Sequence, residues 1–240
     1  MLKAMIQKIE EMATAHTFNV EGSTFTDKPL MEVVPRKDTA QEIRLTGLDS
    51  VCKMVRNEAC DLFPGDQILV QVESYDQIRV FTTLDGELDR NYLYRCDADT
   101  PDFPEGQYLE QERMIILLQS MVIPNEDSNY LLKLLSRVCS KSAVSTRDNG
   151  VTQTIEATQG IALTENVEVR SIVSLKPFRT FLEVTQPESK FLVRVKDGGR
   201  IALIEADGGV WKLEATRNVE NWLESRLEDL INEKKVIILR

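Results

Sequence analysis

A chain of 240 residues suits one large domain or two small ones. Its content of 42% hydrophobic and 28% charged residues lies near the globular average, which excludes a disordered or fibrous protein. The 39 acidic and 29 basic residues leave a formal charge of −10, which repels phosphate backbones and disfavours bulk nucleic-acid binding.

Taken in order, residues 2–15 predict an amphipathic helix, with Met5, Ile6, Ile9 and Met12 at helical spacing. Pro29 and Pro35 bound a short extended piece, LMEVV, expected as an edge strand. Thr46 is the expected N-cap of a helix running to about Leu62, with Leu48, Val51, Cys52, Val55 and Ala59 inward. Ile68, Val70 and Val72, then Ile78 and Val80, alternate with polar residues and predict a strand pair around a turn at 74–76. NYLYRC is a third extended piece. An acidic, proline-bearing loop covers 97–106.

Helices are expected at about 107–122 and 127–139, the second capped by Asp127 or Ser128 and burying Leu131, Leu134, Leu135 and Val138. Beyond 143 the pattern is β-rich, with strands at 151–157, 166–175 and 179–185. A meander FLVRVK-DGG-RIALIEA-DGG-VWKLEA follows, its glycines supplying positive φ for tight hairpins. A helix at 217–233 and a strand VIIL end the chain. The fold class expected is therefore α+β: a mixed N-terminal region, a helical middle and a C-terminal antiparallel meander with a terminal helix. The stretch SKSAVSTRDNG at 140–150 suggests regions 1–142 and 143–240, within one domain or as two.

Chemistry-bearing motifs are sparse. Cys52, Cys60, Cys96 and Cys139 form no CxxC pair, and His16 is the only histidine, which argues against zinc. Free thiols on apolar faces fit a reducing cytoplasm. No apolar run approaches the ~20 residues of a membrane span, and Glu10 and Glu11 interrupt any signal-like segment. Asp97, Asp99, Asp102 and Glu105 miss the calcium-loop pattern, because Pro101 falls where a ligand is required. Nucleophile elbows and glycine-rich phosphate loops are lacking. No cofactor, metal or catalytic set is implied.

The basic residues stand out more. Arg170, Lys176, Arg179, Arg194, Lys196 and Arg200 cluster in an otherwise acidic chain. Arg194 and Lys196 share one strand face by period two, so a carboxylate or phosphate is a candidate ligand. The competing reading pairs these cations with Glu168, Glu183 and Glu205 across a sheet. Trp211, expected on a strand with Leu213 and Ala215 on its face, is a candidate stacking platform if exposed and a core residue if buried. Lys176, Arg179, Arg194, Lys196 and Trp211 form the expected ligand set.

Several of these segments, Pro177-Phe178-Arg179-Thr180-Phe181, Glu183-Val184, Gln186-Pro187-Glu188-Ser189 and Glu205-Ala206-Asp207-Gly208-Gly209, resemble uncharacterised proteins of phages and prophages of Gram-positive bacteria. In its order of elements the chain is similar to the broader YfdQ-like phage proteins, with Gln119 followed by Ile123-Pro124-Asn125-Glu126-Asp127. That resemblance implies no activity. It implies a viral accessory factor acting in the host bacterial cytoplasm and binding a host protein, a defence component, a signalling nucleotide or recombination intermediates. The function expected is a non-enzymatic protein that self-assembles, because a long meander has an edge to cover. Its partner would be a host protein or a small anionic ligand, with no membrane role. The alternatives are a DNA-linked role in replication or recombination and a nucleotide-acting enzyme with a dispersed site that includes Asp97 and Asp99.

Overall fold

The computed structural model describes residues 2–20, 23–27, 41–60, 66–86, 88–139, 143–148, 153–159, 162–196 and 199–240. Contacts divide the chain into two units, Met1–Thr39 and Ala40–Arg240. In the first, the predicted helix forms as α1 (Leu2–Ala13), with Met5, Ile6, Ile9 and Met12 exposed. Strands β1 (Thr17–Val20) and β2 (Ser23–Thr26) pair antiparallel. The expected strand LMEVV lies outside the described residues.

The second unit opens with β3 (Ile43–Leu45) and α2 (Leu48–Cys60). Leu48, Val51, Cys52, Val55 and Ala59 are buried, as their spacing of three and four requires. The cap is not Thr46. Glu183, 135 positions away, accepts a hydrogen bond from the Leu48 N–H at 2.8 Å, and a carboxylate there also complements the helix dipole. A methyl group at Gly47 would lie 2.8 Å from the same oxygen, so a residue without Cβ leaves room for this approach.

The next three strands are β4 (Ile68–Val72), β5 (Gln77–Thr82) and β6 (Tyr92–Asp97), with antiparallel neighbours. The sheet order becomes β3-β6-β5-β4 on this side, with β3 parallel to β6. Two helices follow, α3 (Gln111–Ser120) and α4 (Glu126–Cys139). Asn125 caps α4 in place of Asp127 or Ser128. Its Oδ1 accepts the Ser128 N–H at 2.7 Å, and Ser128 Oγ accepts the Asn125 N–H at 2.8 Å. Asp127 is thereby released to accept the Ser174 N–H at 2.8 Å and to pair with Arg170 at 3.1 Å.

Strands β7 (Ala143–Asp148), β8 (Gln153–Gln159) and β9 (Ala162–Val169) form one antiparallel sheet. Another contains β10 (Ile172–Leu175), β11 (Ser189–Lys196) and β12 (Arg200–Glu205). The chain ends with α5 (Val210–Arg226), α6 (Glu228–Asn232) and β13 (Val236–Leu239), which joins the five-stranded sheet parallel to β4. The fold is α+β, as its sequence patterns predicted.

The expected strand 166–175 is broken at Arg170 and Ser171 into β9 and β10, β7 lies in the stretch expected as a linker, and two further elements differ in kind. The segment VWKLEA is the first turn of α5, not a third meander strand. Trp211, Ala215, Val219, Leu223 and Leu227 are buried at steps of four, so the helical stripe overrides the two-residue alternation. Leu213, expected beside Trp211, points outward and is 56% exposed. The second Asp-Gly-Gly therefore turns a strand into a helix, with Gly208 at φ 65° and Gly209 at φ 79°.

The second difference is at 179–185, where no strand forms. The buried Gln186 side chain takes the place of a neighbouring strand. Its Oε1 accepts the N–H groups of Arg179 and Thr180 at 3.0 and 3.3 Å, and its Nε2 donates to the Phe181 carbonyl at 2.9 Å. Gln186 thus takes up several backbone groups of residues 179–184 in a tight loop. Phe181 and Val184 enter a core formed by α2, the five-stranded sheet, α5 and α6. A second core joins α3 and α4 to β10, β11 and β12.

Replacing Gln186 by alanine strands several buried backbone groups at once, each costing about 1–3 kcal/mol. Urea unfolding of Gln186→Ala is expected to show a loss of about 3 kcal/mol. The exposed control Gln119→Ala should stay within about 0.5 kcal/mol of the parent. Equal midpoints for the two variants would remove this account of the loop.

Candidate functional site

The Gln186-braced loop sends Arg179 between elements of both cores. Its guanidinium carbon lies 3.7 Å from the centroid of the Trp211 ring and 5.6 Å from that of Phe191. Phe191 belongs to the second core, and the later turns of α5, which carries Trp211, belong to the first. Arg179 NH1 pairs with Glu205 Oε1 at 3.5 Å, with the two side chains only 10% and 14% exposed. NH2 donates to Ser189 Oγ.

Tyr75, at the tip of the β4–β5 hairpin, completes the aromatic arrangement. Its ring meets Trp211 edge to face at 4.7 Å between centroids. The Thr180 hydroxyl donates to the Tyr75 carbonyl and ties the hairpin to the Arg179 loop. Lys212 leans over the Tyr75 ring at 5.5 Å. Above this group opens a cavity of about 310 Å³, lined among others by Tyr75, Asp76, Asp102, Phe103, Arg179 and Trp211. Trp211 is 4% exposed, and its indole N–H is buried without a hydrogen-bond partner among the described residues.

Burial acts on the charges here. It lowers the Arg179 guanidinium below its ordinary value despite the opposing pull of Glu205 and Asp207. Burial first, and a hydrogen bond shared with Asp207 second, raise the Glu205 carboxyl. Burial opposes ionisation of Asp207 too, but hydrogen bonds from Glu205, Ser189 and the Gly209 N–H, with Arg179, bring it below its usual value. The Glu205 N–H also donates to Glu105 Oε1 at 3.2 Å. Elsewhere burial pushes the Cys52 thiol up to about 11 and the Cys96 thiol up to about 12, which keeps both protonated and unreactive.

Of the expected ligand set, Arg179 and Trp211 come together at the cavity. Lys176, Arg194 and Lys196 do not line it. Lys176 stands 3.9 Å from Glu188, Arg194 donates to the Val193 carbonyl at 3.1 Å, and Lys196 lies over the Tyr108 ring at 3.8 Å. Of the carboxylates in the competing reading, Glu205 does pair with Arg179, but from β12 to a loop and not across a sheet; Glu183 serves α2, and the Glu168 side chain lies outside the described residues. Trp211 is no open stacking platform, because Arg179 occupies its face. Sequence reasoning missed Tyr75, Asp76 and Phe103. They belong to a hairpin tip and a loop, where no periodicity marks them. Among the described residues, no three His, Cys, Asp or Glu side chains converge as metal ligands. Comparison with family models, curated proteins and solved structures finds no match to this chain.

The Glu205 and Asp207 carboxyls set a pH dependence. Glu205 holds its proton more tightly when folded, so its contribution to stability is full below 4.5, its ordinary value, and is lost as pH rises through the folded value. Asp207 runs the other way, contributing above its ordinary 3.8 and losing that contribution as pH falls through its lowered folded value. From pH 4.5 upward the urea midpoint of the parent is therefore expected to decline relative to that of Glu205→Gln. Parallel curves for the two proteins would show that Glu205 titrates normally.

Proposed function

We propose that the chain is a non-enzymatic binding protein, an accessory factor of phage origin, that holds a small ligand through an anionic group in the cavity above Trp211. Arg179 carries this reading. A guanidinium that is nine-tenths buried, stacked on an indole and paired to one carboxylate at 3.5 Å still faces a cavity of about 310 Å³. Such a fork recognises carboxylate or phosphate, and this volume lies at the small end of known ligand pockets. The place of action, an infected bacterial cytoplasm, follows from the family resemblance. Among the described residues no helix is long and apolar enough to cross a membrane.

Self-assembly belongs to the same proposal, but its edge has moved. On β12, Gly106 donates to the Leu203 carbonyl and Leu109 bridges to Ile201, so the chain itself covers that side of the meander. Strands β13 and β3 are the outer strands of the five-stranded sheet and offer the edge instead. A nucleotide-acting enzyme is the second reading. Its support is the Glu205–Asp207 pair, whose carboxyls are pushed in opposite directions, as acid–base partners are. A DNA-linked role has the −10 charge against it.

Native mass spectrometry of protein purified gently from bacterial cells tests the first reading. Subunits should carry an extra mass of a few hundred daltons that denaturation releases and that Tyr75→Ala fails to retain. Bare subunits in both proteins would remove the cavity as a ligand site. A strict monomer at micromolar concentration would remove self-assembly.

A further inference from the structure

The cavity displays both signs of charge around an apolar body. Arg179 lies in its wall, and the hydrogen bonds to Ser189 and Glu205 use two of the five N–H donors of a guanidinium. Asp76 and Asp102, both acidic, belong to the same lining. Asp76 is held by the hairpin turn, where the Ser74 hydroxyl donates to its Oδ1 at 2.6 Å and its carbonyl accepts the Ala98 N–H at 2.8 Å. Tyr75 and Phe103 supply aromatic surface between these charges, with Trp211 behind the Arg179 guanidinium. The indole N–H of Trp211 is buried and has no partner among the described residues.

Each simpler ligand class leaves something unmatched. A phosphate or nucleotide brings two or more negative charges toward Asp76 and Asp102 in a protein of net charge −10. An organic cation satisfies the two carboxylates but places its charge in the same cavity as Arg179. A purely apolar molecule would desolvate all three charged groups without replacing their water. A dipolar molecule with an apolar body meets each wall with its complement.

We propose that the cavity binds a small zwitterion of amino-acid type, with its carboxylate on Arg179, its ammonium toward Asp76 and Asp102, and an apolar or aromatic side chain against Tyr75 and Phe103. This inference rests on the reading of the cavity as a ligand site and names the ligand chemistry. Both charges are read at once, so removing either from the ligand costs affinity. The aromatic walls favour large apolar side chains over small or charged ones.

Calorimetric titration of the full chain with L-phenylalanine, L-phenylalaninamide, 3-phenylpropionate, AMP and inorganic phosphate tests the proposal. L-phenylalanine should bind. The amide, which lacks the carboxylate, and 3-phenylpropionate, which lacks the ammonium, should each bind at least about tenfold more weakly, a loss of about 1.4 kcal/mol. In the double variant Asp76→Asn, Asp102→Asn, 3-phenylpropionate should approach L-phenylalanine in affinity. Its folding can be checked independently by circular dichroism. Equal or tighter binding of 3-phenylpropionate, AMP or phosphate by the parent chain would overturn the zwitterion while leaving the cavity as an anion site. No binding by any of the five, together with a retained cellular mass that Tyr75→Ala loses, would overturn the zwitterion alone. No binding together with bare native spectra would overturn the cavity reading as well.

Discussion

A buried guanidinium has to be compensated, and much of the architecture around Arg179 follows from that requirement. Moving a charge out of water costs several kcal/mol unless partners replace the lost hydration. Here the replacement is shared. Trp211 and Phe191 offer ring faces, Glu205 offers a carboxylate at 3.5 Å, and Ser189 accepts a hydrogen bond. None of these alone matches water, which is consistent with burial lowering the Arg179 pKa. A charge held in this state retains attraction for a further anionic group, and the cavity gives such a group a place.

The loop that carries Arg179 links distant parts of the unit. Between Arg179 and Gln186 the chain sends one side chain onto Trp211, Phe181 into the first core and Glu183 to the N-terminus of α2. The Gln186 amide keeps these three directions fixed by taking up backbone donors and acceptors that a strand would have satisfied through a ladder. The hairpin tip at Tyr75 is tied to the same loop by Thr180. Two segments of the cavity wall, the Tyr75 hairpin tip and the Arg179 loop, are thus fastened to each other. A tie of this kind reduces the ordering cost of binding at those two segments.

Some of this is legible in the sequence. The helices and the central strands follow from spacing, because burying one face imposes a period of 3.6 or of two. Arg179 and Trp211 were both singled out, one as a cation in an acidic chain and the other as a large aromatic. Their meeting was not legible. Nor were Tyr75, Asp76 and Phe103, because contacts across about 30 to 140 positions leave no local pattern. Two of the misread segments share a cause. Alternation over six residues at 210–215 suits a strand, but Val219, Leu223 and Leu227 extend a stripe at steps of four that only a helix can bury. At 179–185 the apolar residues face two different sides, and Gln186 gave no periodic sign of its role.

The sequence by itself determined the α+β class, the positions of most helices and strands, and the acidic character that repels polyanions. These depend on local propensity, on periodic burial and on summed charge, all written along the chain. Tertiary structure alone decided that Glu183 caps α2, that the second Asp-Gly-Gly opens a helix, and that only Arg179 and Trp211 of the five expected residues share a cavity. Those outcomes depend on which buried polar groups find partners in three dimensions, and a partner brought close by folding has no fixed spacing in sequence.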